Sequence, residues 1–184
     1  MIYSLHLRET GLLVGALLIA VHLIALINAR EIRKLLGAFP RSRPAGAALL
    51  TVAGLWAFAL MWSMDLGEFS SYRTLFLGGI VLAYFLTLKF VGEFLAVRAL
   101  GMLLLLAAEP LLEAAFQRPE PSRLLLTVLA YLWIVMGLVW VGVPYKLRNQ
   151  IEAVTKTGLC WNIAAGIGML YGAAVLGCAM MLWR

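Results

Sequence analysis

Two carboxylates, Glu109 and Glu113, stand inside an apolar run that opens near Phe94 and closes near Ala115. At i and i+4 on a helix both carboxyls lie on one face. Like charges at that spacing repel, and a low dielectric disfavours ionisation of the pair. An acid at mid-membrane costs about 2.5–3.5 kcal/mol on insertion scales, and the shallower Glu109 costs less. Pro110 between them loosens the preceding turn and frees a carbonyl, as at transporter and ion sites. Tyr131, on the next apolar run, lies at a depth compatible with donating to Glu109. Such a set could take up a proton or a cation. The plainer reading is a carboxylate pair that snorkels to the outer interface and meets Arg118 or Arg123.

A second polar set lies deeper. His22 falls about two-thirds of the way along the first apolar run, and Thr51 and Tyr84 lie at the same depth on the second and third. An imidazole buried without a partner is costly, so a hydrogen bond from His22 to Thr51 or Tyr84 is expected if those helices are neighbours. Its role is then a proton or ligand contact, or simply a neutral packing histidine. Lys89, Glu93 and Arg98 form a charged turn; Lys89 and Glu93, at i and i+4, read as an interfacial ion pair with Arg98 reaching to headgroups. Arg30, Arg33, Lys34, Arg41 and Arg43 crowd one loop against the single acid Glu31, a surface for anionic lipid or for a partner.

No catalytic residue is assigned. There is no Gly-rich phosphate loop, no HExxH, no paired-cysteine metal motif and no nucleophile elbow, so neither a metal site nor a cofactor is expected. His6 and His22 lie 16 residues apart on one run, about 24 Å along a helix, which excludes bis-histidine haem within one copy. Cys160 and Cys178 are separated by about 27 Å of helix and cannot bridge one another.

The elements that must hold these residues are membrane spans. Of 184 residues 64% are hydrophobic and 13% charged, far from soluble-domain composition. Apolar runs fill the chain, so a single all-α domain over residues 1–184 is expected, a bundle of six transmembrane helices with short loops. The spans are placed at residues 10–29, 44–64, 73–91, 94–115, 124–144 and 158–183. The first could pass for a signal peptide, but its apolar run is too long and Glu9 stands beside Arg8, so it is taken as retained. Between the first two spans Leu35, Leu36 and Phe39 share one face of a short interfacial helix ended by Pro40. Lys146–Lys156 reads as a surface helix. Ala164, Gly168 and Gly172 make a small-residue ridge on the last span, and Gly11 and Gly15 a shorter one on the first, which permits close helix approach.

The net charge of +6 is distributed as membrane insertion requires. Ten Lys and Arg fall on the side of the Arg30–Arg43 loop and five, including Arg184, on the other. That loop is therefore placed in the cytoplasm and both termini on the non-cytoplasmic side, in a bacterial inner membrane. Expected partners are lipids with anionic headgroups and other membrane subunits or further copies of the chain; nucleic acid is not expected. Small size, little extramembrane mass and no chemical constellation favour a subunit or scaffold of a membrane complex. A small transporter or channel using Glu109 and Glu113 is the alternative. An intramembrane enzyme acting on lipid or quinone, with His22 or the glutamates as base, is the third reading.

Overall fold

The computed structural model describes residue 3 and residues 5–183; Arg184, counted above with the outer charges, lies outside the described residues. Eight helices and no strand occur among the described residues. Six are long and apolar enough to cross a membrane: α1 (Leu7–Ile27), α3 (Arg43–Ser63), α4 (Arg73–Phe90), α5 (Leu95–Ala115), α6 (Leu124–Gly142) and α8 (Gly158–Met181). Their bounds lie close to those expected from charge-free runs, because the charges and prolines that flank the runs also end the helices. Six such helices point to a membrane-embedded protein.

Two amphipathic helices complete the set, α2 (Ala29–Ala38) and α7 (Tyr145–Thr155). Pro40 ends α2 as expected, inside a 3-10 turn over Phe39–Arg41. Its packed face differs from expectation. Ile32 and Leu36 line a cavity, whereas Leu35 is 66% exposed, because 100° per residue turns it away from its neighbour.

Three of the crossings between spans are made through glycine. Gly15 and Gly172 face each other where α1 crosses α8: a Cβ on Gly15 would come 3.0 Å from the Gly172 carbonyl oxygen. Further along that seam Gly11 makes room for Trp183 and Gly168 makes room for His22. Thus the two ridges read from the sequence meet one another inside one chain. Gly101 of α5 and Gly137 of α6 form a second crossing, where each Cβ would lie 2.8 Å from the other's carbonyl oxygen. Gly46 of α3 meets the backbone of α5 at Ala96 N, 2.7 Å from its would-be Cβ. Without water to drive association, such close backbone approach is what holds helices together in lipid.

One core joins α1, α5, α6 and α8 around Val14, Leu111, Leu126, Val175 and Trp183. It lies at the end of the bundle that holds the start of α1 and the ends of α5 and α8. At that end Trp183 Nε1 donates to Ser122 Oγ (2.7 Å), Arg123 Nη1 donates to the Ala115 carbonyl (3.0 Å) and Tyr171 OH donates to the Leu125 carbonyl (2.6 Å). The opposite, basic end gathers α2, the start of α3, the α4–α5 turn and α7. Here Arg98 Nη1 donates to the Val141 carbonyl (2.7 Å) and Trp161 Nε1 to the Ala25 carbonyl (3.1 Å). The bonds to Ala115, Val141 and Ala25 satisfy carbonyls that a helix end leaves without a partner.

Candidate functional site

The glutamate pair sits near the C-terminal end of α5, on the turn around Pro110, the one proline inside that helix. Ala108, Leu111, Ala114 and Ala115 beside it are buried against the common core, so the carboxyls occupy the remaining face. What closes that face is Tyr3, four residues ahead of the start of α1. The Tyr3 backbone N–H donates to both oxygens of Glu113, at 3.1 and 3.2 Å. Tyr3 OH accepts from Trp56 Nε1 of α3 at 2.6 Å. The chain thus folds over the pair and ties α3 to α5.

Glu109 lies within hydrogen-bond reach of Glu113, and its Oε2 is shielded from solvent with no hydrogen-bond partner among the described residues. Tyr3 lies outside the spans, and burial pushes its hydroxyl above the ordinary tyrosine value of 10.0. The bond from Trp56 acts against that shift, and the negative charges of Glu109 and Glu113 add to it. Burial and the neighbouring glutamates keep the Tyr3 proton against the pull of the Trp56 bond, and the hydroxyl remains a donor. Two carboxyls and a phenol can hold or pass a proton. A shielded carboxyl oxygen that lacks a partner among the described residues is the kind of atom a cation or a proton satisfies.

Tyr131 does not join this group. It is 58% exposed, on the same face of α6 as the exposed Val128, Val135 and Leu138, and makes no hydrogen bond to Glu109. Its depth matches, but it lies 100° around the helix from the buried Ala130. Of the two arginines expected near the pair, Arg123 binds the Ala115 carbonyl. Tyr3 and Trp56 are the partners that sequence reading missed. Tyr3 is separated from Glu113 by 110 residues and from Trp56 by 53, and no periodicity links them.

His22, Thr51 and Tyr84 divide into two places. Thr51 and Tyr84 bond to each other at 2.9 Å, joining α3 to α4. His22 lies on the other side of the molecule, against α8 at Gly168. Its Nδ1 is 2.7 Å from the Leu18 carbonyl on its own helix, so Nδ1 donates and a neutral ring presents Nε2 as acceptor. His22 thus meets neither expected partner, because α8 and not α3 packs along α1. It borders an apolar cavity of about 370 Å3 with Trp161, Ile32 and Leu36.

At the basic end, the expected ion pair between Lys89 and Glu93 is absent among the described residues. Helix α4 stops at Phe90, so the i and i+4 spacing no longer describes neighbours. Lys89 Nζ sits 5.4 Å from the Phe90 ring centroid, and Glu93 borders a polar hollow with Arg41, Arg43 and Arg148. Arg98 turns inward to the end of α6, where it donates to the Val141 carbonyl. Of the loop arginines, Arg33 stacks 5.0 Å over the Trp161 ring, while Arg30 and Lys34 are exposed on α2. No group of three or more His, Cys, Asp or Glu among the described residues could hold a metal ion.

Protein-family models, curated proteins and solved structures were compared with the chain, and none matches it. Function is therefore argued from geometry alone.

Proposed function

We propose that this chain is a six-span subunit or scaffold of a membrane complex, lying in a bacterial inner membrane with its basic end in the cytoplasm and both termini on the opposite side. The orientation rests on the excess of Lys and Arg at one end of the bundle. The observation that carries the subunit reading is the state of α4. Only 6% of its apolar window is buried, against 39% for α5, and Leu77 is its one buried residue. Helix α4 packs on α3 and leaves an apolar groove of about 350 Å3 along α5, lined by Ile80, Ala83, Met102 and Leu105 among others. A Cβ added at Gly78 or Gly79 on α4 would meet nothing within 4 Å. Small residues facing outward on an underpacked helix are what a partner helix needs for close approach.

Native mass spectrometry of the protein, isolated from its own membranes in mild detergent, tests this. A defined mass containing a second chain is expected. A lone chain, or only copies of itself, overturns the subunit reading.

A second reading is a small transporter or channel, favoured by Glu109 Oε2, which has no hydrogen-bond partner among the described residues, beside Glu113. Proton or cation uptake by proteoliposomes should then fall sharply in Glu109→Gln. Uptake that is unchanged by that substitution removes the pair from the mechanism.

A further inference from the structure

The hollow at the basic end has a volume of about 460 Å3 and is built from three segments distant in sequence. Arg41 comes from the turn after α2, Arg43 is the first residue of α3, Gly92, Glu93 and Phe94 form the α4–α5 turn, and Arg148 stands on α7. Three guanidiniums thus face one carboxylate in a single concavity. Among the described residues Arg41 and Arg43 have neither an ion pair nor a hydrogen bond. Arg148 is only partly engaged, with Nε 3.5 Å from Glu152 Oε1 and Nη2 donating to Asn149 Oδ1 at 3.3 Å.

The turn is shaped to admit these side chains. Arg43 Nη2 lies 3.0 Å from where a Cβ on Gly92 would stand, so glycine leaves the room that the guanidinium takes. Phe94, with φ of 55°, holds a left-handed conformation that an aromatic residue rarely adopts and turns the chain into α5. The N-termini of α3 and α5 both begin at this hollow, and their dipoles add positive potential.

Unsatisfied guanidinium forks recognise phosphate oxygens in pairs, which ammonium groups do not. A water takes about 30 Å3 of liquid, so the hollow has room for a phosphate and the group it is esterified to. From this arrangement we propose that Arg41, Arg43 and Arg148 form a binding site for a phosphate-bearing anion, either a lipid phosphate at the membrane surface or a free phosphate compound. Glu93 lines the same hollow and opposes binding. The site does not depend on the subunit reading.

Opposite-signed variants test it. The full-length protein is placed in nanodiscs of phosphatidylcholine, and binding of inorganic phosphate and of glycerol 3-phosphate is followed by calorimetry. In parallel, discs doped with phosphatidylglycerol are analysed by native mass spectrometry for lipid retained on the protein. Arg43→Gln and Arg148→Gln should each weaken binding about tenfold, as loss of a charged hydrogen bond implies. Glu93→Gln should strengthen it several-fold, which a misfolded variant could not do. The exposed pair Arg30→Gln with Lys34→Gln should change it less than about twofold. Binding of phosphate in the neutral discs assigns a free ligand, and selective retention of phosphatidylglycerol without it assigns a lipid. Absence of both, or an equal effect of the Arg30 and Lys34 changes, overturns the site.

Discussion

Helices α4 and α5 follow one another, joined by residues 91–94, and both are apolar enough to cross a membrane. They are otherwise opposites. Helix α5 buries nine residues, six of them alanine or glycine, on faces turned to α3, α6 and the common core. Helix α4 buries Leu77 alone, and a Cβ added at either of its two adjacent glycines would meet nothing within 4 Å. In water a surplus of exposed leucine and phenylalanine would itself drive packing, but lipid tails are equally apolar, so that drive is missing. Hydropathy therefore reports which segments can cross, and the placement of small residues reports which of them pack.

The sharpest break in that contrast is at Gly101. A side chain there would run into the Gly137 carbonyl at 2.8 Å and the Val141 backbone nitrogen at 3.2 Å, neither of which is a flexible side-chain end. Gly101→Leu should cost about 3 kcal/mol or more, the upper end for overpacking, because backbone must separate from backbone. Thermal unfolding in detergent measures it, and an unshifted midpoint would mean that the α5–α6 crossing does not hold the fold.

The same physics explains what could be read from the chain beforehand. Charge-free length located six helices, and the Gly15 and Gly172 ridges announced close approach, because both signals lie within one segment. Azimuth between segments was not available. Tyr131 has a suitable depth, yet its helix turns it outward with Val128 and Val135. His22, Thr51 and Tyr84 share a depth, yet α8 packs on α1 and takes His22 away from the other two. The Lys89–Glu93 spacing presumed a helix that ends at Phe90. Tyr3 could not be found at all, since a residue outside the periodic runs shows no face until the fold is known.

A smaller effect is expected where that residue covers the end of α5. Glu113→Ala leaves the Tyr3 N–H without its acceptors, a loss of about 1–2 kcal/mol after relief of the repulsion with Glu109. Glu113→Gln keeps an acceptor and removes the charge, so it should lose little. Hydrogen exchange at the Tyr3 amide separates the two, with about tenfold faster exchange in the alanine variant. Equal exchange in both would show that the carboxyl does not hold the Tyr3 backbone.

Tyr3→Phe is milder, at about 1 kcal/mol, since it leaves only Trp56 Nε1 without an acceptor. It also carries a pH signature. The hydroxyl value is raised in the fold above 10.0, so the folded state binds the proton more tightly than the unfolded state. The stabilisation from Tyr3 is therefore complete below pH 10 and falls as pH climbs from there through the raised value. Absorbance titration of the wild type minus Tyr3→Phe should show one phenol ionising above pH 10; a difference centred at or below 10 contradicts the burial of that hydroxyl.

The least disruptive change is on α4, and its small size is the point. Gly79 has open space around its Cβ position, so Gly79→Leu should leave the isolated protein within about 0.5 kcal/mol of wild type. Leucine is the better helix former, so the shift should be slightly stabilising. The same bulk on an interface that needs close approach should displace a partner helix. A variant that unfolds like wild type but loses the second chain in native mass spectrometry would show that the bare face of α4 is kept bare for a partner. A variant that keeps the second chain would place the interface on another face. Marked destabilisation of the isolated chain would instead mean that α4 packs more closely on its neighbours than its 6% burial implies.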